Sequence, residues 1–395
     1  MITLIGIGPG DGNALTIEAR AAIESADLLI GAARMLEPFA ASGGRKLPAY
    51  RPKDILAILE REPFDRACVL YSGDPFFWSG GEGLTQLLTE RGLGHRVLPG
   101  LSSVQVLAAR LGRSWKDWVL CSAHGQDGQL LSHLKTGRSV FLLTGGDAGP
   151  SMLCWALVDA GLEDLTVTVG ENLSYPDERI TAGTAKELAG RLFAPLNVVL
   201  VDPAPVYTSR TPGIPDDVFI RGQTPMTKQE VRAVALAKLA VRPSDVCWDV
   251  GAGTGSVSVE LALQGGQVWA VEYDAEACAL IRQNRERFHA WNLFLREGKA
   301  PQSLTSLPRP DKVFVGGSEG ALRLILRAAA GRNPDLVICV SAITLETVQE
   351  AVEEMEALGL EPEVVQVAVT RSRRASDKHL LLAQNPVFLI TGGKP

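Results

Sequence analysis

The sequence predicts an α/β protein built from two domains of different fold. Short apolar segments alternate with helical patterns through most of the chain, which is typical of a largely parallel sheet covered by helices. The 395 residues exceed the usual size of one domain. Four prolines between positions 203 and 215 indicate an ordered, extended linker. We therefore expect domains at 1–203 and 216–395 joined by a linker at 204–215, with no motif repeated between them.

The composition excludes several classes of protein. Hydrophobic residues make up 46% of the chain and charged residues 21%, as in ordinary globular proteins. The net charge of -6 argues against a nucleic-acid partner, because phosphate contacts require clustered Lys and Arg. No apolar run is long enough to cross a bilayer, and the amino terminus predicts a strand rather than a signal peptide. The six scattered cysteines favour a cytoplasmic protein, and the histidine spacing predicts no metal site.

The first half alternates between strands and helices in the order expected for a parallel sheet. The predicted strands lie at 2–7, 67–71, 96–98, 118–122, 139–144, 165–169 and 197–201. The predicted helices lie at 15–26 and 82–90, with a third that ends at 110. Glycine-rich and polar breaks follow these strands at 8–10, 73–74, 102–103, 144–146 and 171–172. Ligands of such sheets collect at the carboxyl ends of strands, so we expect a cleft there, although any one break can be a simple turn.

Three motifs of the first half resemble the tetrapyrrole (corrin/porphyrin) methylase family. They are Gly6-x-Gly8-Pro9-Gly10-Asp11, Ser72-Gly73-Asp74-Pro75 and Pro99-Gly100-Leu101-Ser102-Ser103-Val104-Gln105. The string Ser-Gly-Asp-Pro-Phe-Phe-x-Ser-Gly-Gly is similar to the CbiE-type branch, over residues 1–203. The resemblance implies a two-lobed α/β fold that binds S-adenosylmethionine between its lobes.

The resemblance also implies which side chains contact this cofactor. The matching positions are Pro9, Ser72, Gly73, Asp74, Phe77, Ser102 and Ser103, with looser matches at Leu143, Thr144 and Leu173. Asp before Pro is commonly a turn or capping carboxylate, so that role for Asp74 stays open. His124 follows a predicted strand and is a candidate proton carrier, although a lone histidine is more often a turn residue.

A glycine-rich turn organises the second half. A strand at 246–250 leads through Asp249 into Gly251, Gly253 and Gly255, and a helix follows at 256–263. A second strand at 267–272 ends in Glu272, about 20 residues on, where a carboxylate accepts hydrogen bonds from a ribose. The third glycine comes too early for a dinucleotide fingerprint. The turn resembles motif I of Rossmann-like methyltransferases, while NAD binding and a turn without ligand remain alternatives.

The other elements of the second half fit such a fold. Thr227 is the predicted N-cap of a helix that ends near 239, with Glu230 as its capping-box partner. Helices are predicted at 275–288 and 345–357, and strands at 293–296, 312–315, 336–341, 364–370, near 380–382 and at 386–390. The last two strands follow one another without a helix between them. This predicts an antiparallel hairpin that ends the sheet.

The second half is similar to the CbiT family over residues 212–395. The matching strings are Met-Thr-Lys-x-Glu-Val-Arg, Asp-Val-Gly-Ala-Gly-Thr-Gly, Glu-Gly-x-Ala-Pro, Val-Gly-Gly-Ser-x-Gly and Asn-Pro-Val. The resemblance implies cofactor contacts at Thr227, Gly251, Ala252, Gly253, Thr254, Gly255, Glu272, Gly298 and Ala300. Glu319 is a departure, because the family often has glycine at that position.

The fusion of the two halves resembles the CobL-type precorrin-6B (precorrin-6Y) C5,15-methyltransferases (decarboxylating). It implies a bifunctional enzyme of cobalamin synthesis that binds one S-adenosylmethionine in each domain. The first domain would methylate C5; the second would remove the C12 acetate carboxyl and methylate C15, giving precorrin-8. Alternatives are the cobalt-precorrin equivalents, a methyltransferase acting on RNA or protein, and a non-catalytic S-adenosylmethionine sensor.

The substrate of such an enzyme is a tetrapyrrole with several carboxylates, which basic side chains would bind. The candidates are Lys228, Arg232, Arg371, Arg373 and Arg374. Arg371 and Arg373 are also candidates for a catalytic role, and the run that they begin can equally be a solvated loop. Relatives of both halves assemble, so a homo-oligomer is expected.

Overall fold

The first sheet of the protein has five strands, all parallel, in the order β3-β2-β4-β1-β5. Its strands are β1 (Ile2–Gly6), β2 (Leu28–Gly31), β3 (Arg45–Pro48), β4 (Ala67–Tyr71) and β5 (His95–Leu98). Its helices are α1 (Ile17–Glu24), α2 (Ala33–Leu36), α3 (Pro52–Arg61), α4 (Gly81–Glu90) and α5 (Ser103–Leu111). Every residue of β1, β2 and β4 is buried, because helices cover both faces of the sheet. The predicted parallel sheet is confirmed here.

The second sheet is mostly antiparallel, so the prediction of a largely parallel arrangement is wrong for this part. Its strands are β6 (Val119–Ser122), β7 (Val140–Leu143), β8 (Thr166–Glu171), β9 (Arg179–Thr184) and β10 (Asn197–Val201). They lie in the order β6-β7-β10-β8-β9, and only β6 and β7 are parallel. The loop between β8 and β9 is too short for the crossover that parallel neighbours require. The helices in this stretch of the chain are α6 (Gln129–Leu134), α7 (Pro150–Asp159) and α8 (Ala185–Leu188).

The third sheet has seven strands in the order β13-β12-β11-β14-β15-β19-β16. They are β11 (Val246–Val250), β12 (Gln267–Glu272), β13 (Leu293–Glu297), β14 (Lys312–Val315), β15 (Val337–Ala342), β16 (Glu363–Val367) and β19 (Val387–Gly392). Strands β11 to β15 are parallel, and β19 lies antiparallel between β15 and β16. The helices are α9 (Gln229–Leu239), α10 (Ser256–Gln264), α11 (Ala275–Arg287), α12 (Leu322–Arg332) and α13 (Leu345–Ala357). The strand order reverses at β11, which is where ligands bind in such sheets.

The predicted hairpin at the end of this sheet is wrong. The chain leaves the sheet after Val367 and forms a separate two-stranded ribbon of β17 (Thr370–Ala375) and β18 (Lys378–Ala383). It then returns as β19, which pairs with β15 and β16. Every residue of β18 is exposed, although its sequence contains three consecutive leucines. An apolar run alone therefore did not indicate a place in the buried sheet.

The computed structural model describes residues 1–10, 14–122, 129–145, 149–207 and 212–393. The chain forms two compact units. One contains most of the chain up to Asp202; the other contains the chain from Pro203, together with α6 and the end of α7. None of the described helices is long and apolar enough to cross a membrane.

The described part of the predicted linker packs on the second unit. Ala204 and Ile214 are buried. The buried carboxylate of Glu260 accepts hydrogen bonds from the backbone N–H groups of Gly213, at 2.6 Å, and Ile214, at 3.0 Å. This end of the proline-rich stretch is therefore held in place by the core of the second unit.

Candidate functional site

The first unit contains a cavity of about 340 Å³ between its two sheets. We call it the first cavity. Of the ten residues predicted to contact a cofactor in this unit, eight line it. They are Pro9, Ser72, Gly73, Phe77, Ser103, Leu143, Thr144 and Leu173. His124, the predicted proton carrier, lies outside the described residues.

Close backbone contacts shape the wall of the first cavity. A Cβ added at Gly6 would lie 2.5 Å from the nitrogen of Gly100, and one at Gly100 would collide with Gly6 and with the carbonyl of Gly73. Gly8 and Gly73 exchange backbone hydrogen bonds of 2.8 and 3.3 Å. The turns after β1, β4 and β5 therefore touch backbone to backbone, which only glycine allows.

The structure places Asp74 and Ser102 outside the lining of the first cavity. The Asp74 carboxylate accepts hydrogen bonds from the backbone N–H groups of Phe76, at 2.9 Å, and Gly100, at 3.3 Å. Ser102 is buried at the start of α5, and its N–H donates to the side chain of Gln105 at 2.8 Å. Both residues thus fix the turns that carry the lining residues.

The second unit contains a cavity of about 570 Å³ at the carboxyl ends of β11, β12, β14 and β15. We call it the second cavity. Its lining includes eight of the nine predicted cofactor contacts of this unit. They are Thr227, Gly251, Ala252, Gly253, Thr254, Glu272, Gly298 and Ala300. Gly255 lies outside the lining, because it is the N-cap residue of α10 and packs against Ile281 of α11.

The glycine-rich turn takes conformations that other residues rarely adopt. Gly251 has φ +68°, and a Cβ there would overlap the backbone of Gly317 in the turn after β14. Gly253 has φ +55°, and its Cβ would lie 3.1 Å from the carbonyl oxygen of Pro225. The turn is thus pressed against the neighbouring loop on one side and faces the second cavity on the other.

Glu272 ends β12 beside this turn. Its carboxylate accepts hydrogen bonds from the N–H groups of Gly253, at 2.9 Å, Tyr273, at 2.8 Å, and Asp274, at 3.0 Å. A carboxylate has about four acceptor positions, so Glu272 can still accept a hydroxyl from a ligand. The hydroxyl of Thr254 is buried in the same wall and has no partner among the described residues.

The predicted cap of α9 is wrong. The helix begins at Gln229, one residue later than a Thr227 cap requires. The N–H of Gln229 donates instead to Asp216, at 2.9 Å. Glu230 does not fold back on the helix start, because its carboxylate pairs with Arg371. A carboxylate from a distant loop has replaced the local cap.

Arg232 cannot bind substrate, because its side chain is completely buried. Its Nε lies 2.5 Å from Glu260, and its Nη1 donates to the carbonyl of Thr227 at 2.6 Å. Its guanidinium carbon lies 4.8 Å from the ring centre of Phe219. The prediction of a substrate role is therefore wrong; Arg232 holds the loop that forms one wall of the second cavity.

The three arginines of β17, Arg371, Arg373 and Arg374, do not line the second cavity. Arg371 pairs with Glu230 and, at 3.0 Å, with Asp216, and these carboxylates raise its pKa. Arg373 and Arg374 are exposed on β17. Val369, which directly precedes the ribbon, lines the second cavity, but the three arginines do not. Of the predicted substrate-binding residues, Lys228 alone lines it.

A charged cluster at the second cavity was not predicted. Lys299 lies 3.1 Å from Glu319 and 4.4 Å from the ring centre of Tyr273, whose hydroxyl donates to Glu319. These hydrogen bonds lower the pKa of the Glu319 carboxyl. The cluster joins the turns after β12, β13 and β14. Its only signal in the sequence was the departure from glycine at Glu319, which has φ +46°.

Asp249, at the end of β11, is a buried acid behind the glycine-rich turn. Ser258 donates to one of its oxygens, while the other has no partner among the described residues. Burial raises the pKa of Asp249 from 3.8 to about 7. The ionised form is therefore disfavoured in the folded state.

Asp249→Asn is expected to change how stability depends on pH. The pKa of the Asp249 carboxyl is higher in the folded state than in the unfolded state. Its contribution to the free energy of unfolding is therefore complete below about pH 4 and is lost as pH rises through about 7. The variant should flatten the stability profile between these values and gain stability relative to wild type at higher pH. Urea denaturation across the pH range measures this, with exposed Asp335→Asn as control. An unchanged profile would contradict the burial argument.

Each of the two cavities lies in a part of the chain that matches a methyltransferase family model, so the protein belongs to the class that fuses two such domains. A family model described as tetrapyrrole (corrin/porphyrin) methylases matches residues 1–189. A second one, described as precorrin methyltransferase domain, matches residues 217–392. Among the described residues no group of three His, Cys, Asp or Glu side chains could hold a metal ion.

The relatives narrow this class to one family. The precorrin-6Y C(5,15)-methyltransferase [decarboxylating] of Sinorhizobium sp is 35% identical over 329 residues, which cover 80% of this chain and 78% of that protein. This chain therefore belongs to the precorrin-6Y C5,15-methyltransferase (decarboxylating) family, and it is an enzyme of that family.

Other relatives match about half of this chain. The probable cobalt-precorrin-6B C(15)-methyltransferase (decarboxylating) of Pyrobaculum calidifontis is 47% identical over 186 residues, 46% of this chain and 95% of that protein. A crystal structure of precorrin-6y C5,15-methyltransferase from Geobacter metallireducens is 40% identical with a TM-score of 0.45. It covers 46% of this chain and 97% of the other.

Proposed function

We propose that this enzyme methylates precorrin-6B (precorrin-6Y) at C5 and C15 and removes the C12 acetate carboxyl as CO₂, giving precorrin-8 in cobalamin synthesis. The observation that carries the proposal is the presence of two separate cavities in one chain, each within a different methyltransferase domain. A single methylation or a sensor would need only one of them. The match to the relative from Sinorhizobium supports the same reaction.

The two reactions are divided between the units in this proposal. The first unit methylates C5, and the second decarboxylates and methylates C15. The name of the Pyrobaculum relative supports this division, because that protein matches about half of this chain and is named for C15 methylation with decarboxylation. The order of the two methylations is left open.

Each unit binds one S-adenosylmethionine, which supplies the methyl group when bound. The polar groups of the second cavity fit this molecule. Glu272 has acceptor positions for a ribose diol, and the buried Thr254 hydroxyl has no partner in the part of the chain that the structure describes. Ser72 and Ser103 line the first cavity together with Gly73. This mixture of small polar groups and close backbone suits a nucleoside.

The protein's own groups position the substrate rather than react with it. Methyl transfer to carbon depends on alignment more than on a protein nucleophile. Lys228 is exposed on the wall of the second cavity, and among the described residues it pairs with no carboxylate. It is available to bind a peripheral carboxylate of the tetrapyrrole. Loss of CO₂ breaks a carbon–carbon bond and leaves the electron pair in the conjugated macrocycle.

The test is incubation of the full chain with precorrin-6B and S-adenosylmethionine that carries an isotopic label in its methyl group. Mass spectrometry should find two labelled methyl groups gained and one CO₂ lost. A parallel incubation with cobalt-precorrin-6B separates the two routes, and turnover of that substrate alone would favour the cobalt form. Binding of the cofactor without turnover of either substrate would support a sensor and contradict the proposal.

The enzyme acts in the cytoplasm as a homo-oligomer in this proposal. All six cysteines are free and buried, which suits a reducing compartment. Leu380, Leu381 and Leu382 are 48%, 74% and 45% exposed on the ribbon, and contact between copies would cover them. Analytical ultracentrifugation should find a dimer or larger species; a monomer at high concentration would contradict this part.

A further inference from the structure

Three exposed apolar side chains surround the opening of the first cavity. Tyr50 precedes α3, Trp78 follows β4 and Leu196 precedes β10, and all three line the cavity. They are also 67%, 50% and 38% exposed, so they lie where the cavity meets solvent. We call these three residues the rim. None of them belongs to the predicted cofactor contacts, which lie on the glycine turns and strand ends.

The backbone at Trp78 is strained. Its φ of +46° lies in the left-handed region, which is rare for a bulky residue. Glycine would adopt this conformation without cost. The indole packs edge to face on Phe77, with ring centres 4.7 Å apart, but half of its surface remains in contact with solvent. Packing inside the protein therefore does not account for an indole here, and contact with a ligand would.

A guanidinium group lies beside the rim. The Arg51 side chain sits over the Tyr50 ring, with its guanidinium carbon 5.6 Å from the ring centre. No carboxylate pairs with Arg51 among the residues that the structure describes, so its charge is available to a ligand. Guanidinium groups bind carboxylates through two parallel hydrogen bonds, and here the neighbouring ring orients the group.

The rim and Arg51 together have the chemistry of a site for a flat, conjugated ring with carboxylates at its edge. Aromatic faces stack on such a ring, and the aliphatic side chain of Leu196 packs against it from the second sheet. We propose that the rim stacks on the tetrapyrrole macrocycle and that Arg51 binds one of its peripheral carboxylates. This inference rests on the proposed function, since it assigns the place of that substrate in the first unit.

The experiment measures tetrapyrrole binding without turnover. Uroporphyrin, a stable polycarboxylated tetrapyrrole, is titrated into the full chain and two variants, Trp78→Gly and Arg51→Gln. We expect two classes of binding site, one in each unit, with one class weakened about tenfold in each variant. Affinity for S-adenosylmethionine should not change. Trp78→Gly should also be at least as stable to heat as wild type, because glycine relieves the strained backbone.

Trp155→Ala is the matched control. Trp155 is 49% exposed in the same unit but does not line the first cavity, so its loss should leave both classes of site unchanged. Unchanged uroporphyrin binding by Trp78→Gly, or an equal loss of binding in Trp155→Ala, would contradict the proposal that the rim stacks on the macrocycle. The two proposals fail separately. If Trp78→Gly methylates precorrin-6B at C5 with an unchanged KM, the proposed substrate contact of the rim is wrong. If uroporphyrin binds as expected but the wild-type protein does not methylate precorrin-6B, the proposed function is wrong.

Discussion

Replacing Gly253 by arginine is expected to abolish C15 methylation and decarboxylation while C5 methylation continues. Gly253 has φ +55°, and a Cβ there would lie 3.1 Å from the carbonyl oxygen of Pro225, which also lines the second cavity. A longer side chain must therefore enter the space where the cofactor is proposed to bind. Misplacement of reacting groups by about 1 Å already costs about 100-fold in rate, so we expect at least that loss. Mass spectrometry of the products should show one labelled methyl group and no loss of CO₂.

Gly359→Arg is the control for this experiment. Gly359 also has a positive φ, +74°, but nothing lies within 4 Å of a Cβ there, and it does not line the second cavity. The control therefore carries the same backbone strain and the same added charge without blocking the site. It should give both methylations. A folded Gly253→Arg protein that loses C5 methylation as well would contradict the division of reactions between the units.

The glycine turns were predictable because each one imposes a local requirement on the sequence. Gly251 must adopt a positive φ and must approach the backbone of Gly317, and only glycine meets both conditions. Such a constraint acts within a few residues, so spacing alone reveals it. The resemblance then added the ligand, which the turn by itself does not specify.

The role of Arg232 was not predictable from the sequence, because its partners lie far along the chain. Glu260 is 28 residues away and Asp216 is 16 residues away, and neither follows a helical or strand spacing. The sequence pattern around a basic residue does not distinguish a buried side chain from one that faces a ligand. Only the fold shows that Arg232 is fully covered.

The ribbon and the rim escaped prediction for a related reason. The leucines of β18 read as a buried strand, since an apolar run does not show which surface it meets. Trp78 sits within a recognised motif, but its exposure and its positive φ are properties of the folded loop. Function at these places depends on three-dimensional surroundings that no local pattern encodes.

Replacing Arg232 by methionine is expected to destabilise the second unit by about 3–5 kcal/mol. The change would leave the completely buried carboxylate of Glu260 without its charged partner, which lies at 2.5 Å in the native protein. It would also release the carbonyl of Thr227, so C15 methylation should fall together with stability. Hydrogen exchange followed by mass spectrometry measures the effect directly, because peptides from α9 and β11 report on the second unit and peptides from β1 and β4 on the first.

The second variant of this test removes the unpaired charge as well. Arg232→Met combined with Glu260→Gln should recover much of the lost stability, since the amide oxygen can still accept the N–H groups of Gly213 and Ile214. Arg371→Met is the matched control: its side chain is 38% exposed, so its loss should cost only about 1 kcal/mol. Equal losses for the two single variants would show that burial does not decide the effect. A double variant no more stable than Arg232→Met would show that the buried charge is not the cause, because the charge is the one feature that Glu260→Gln removes.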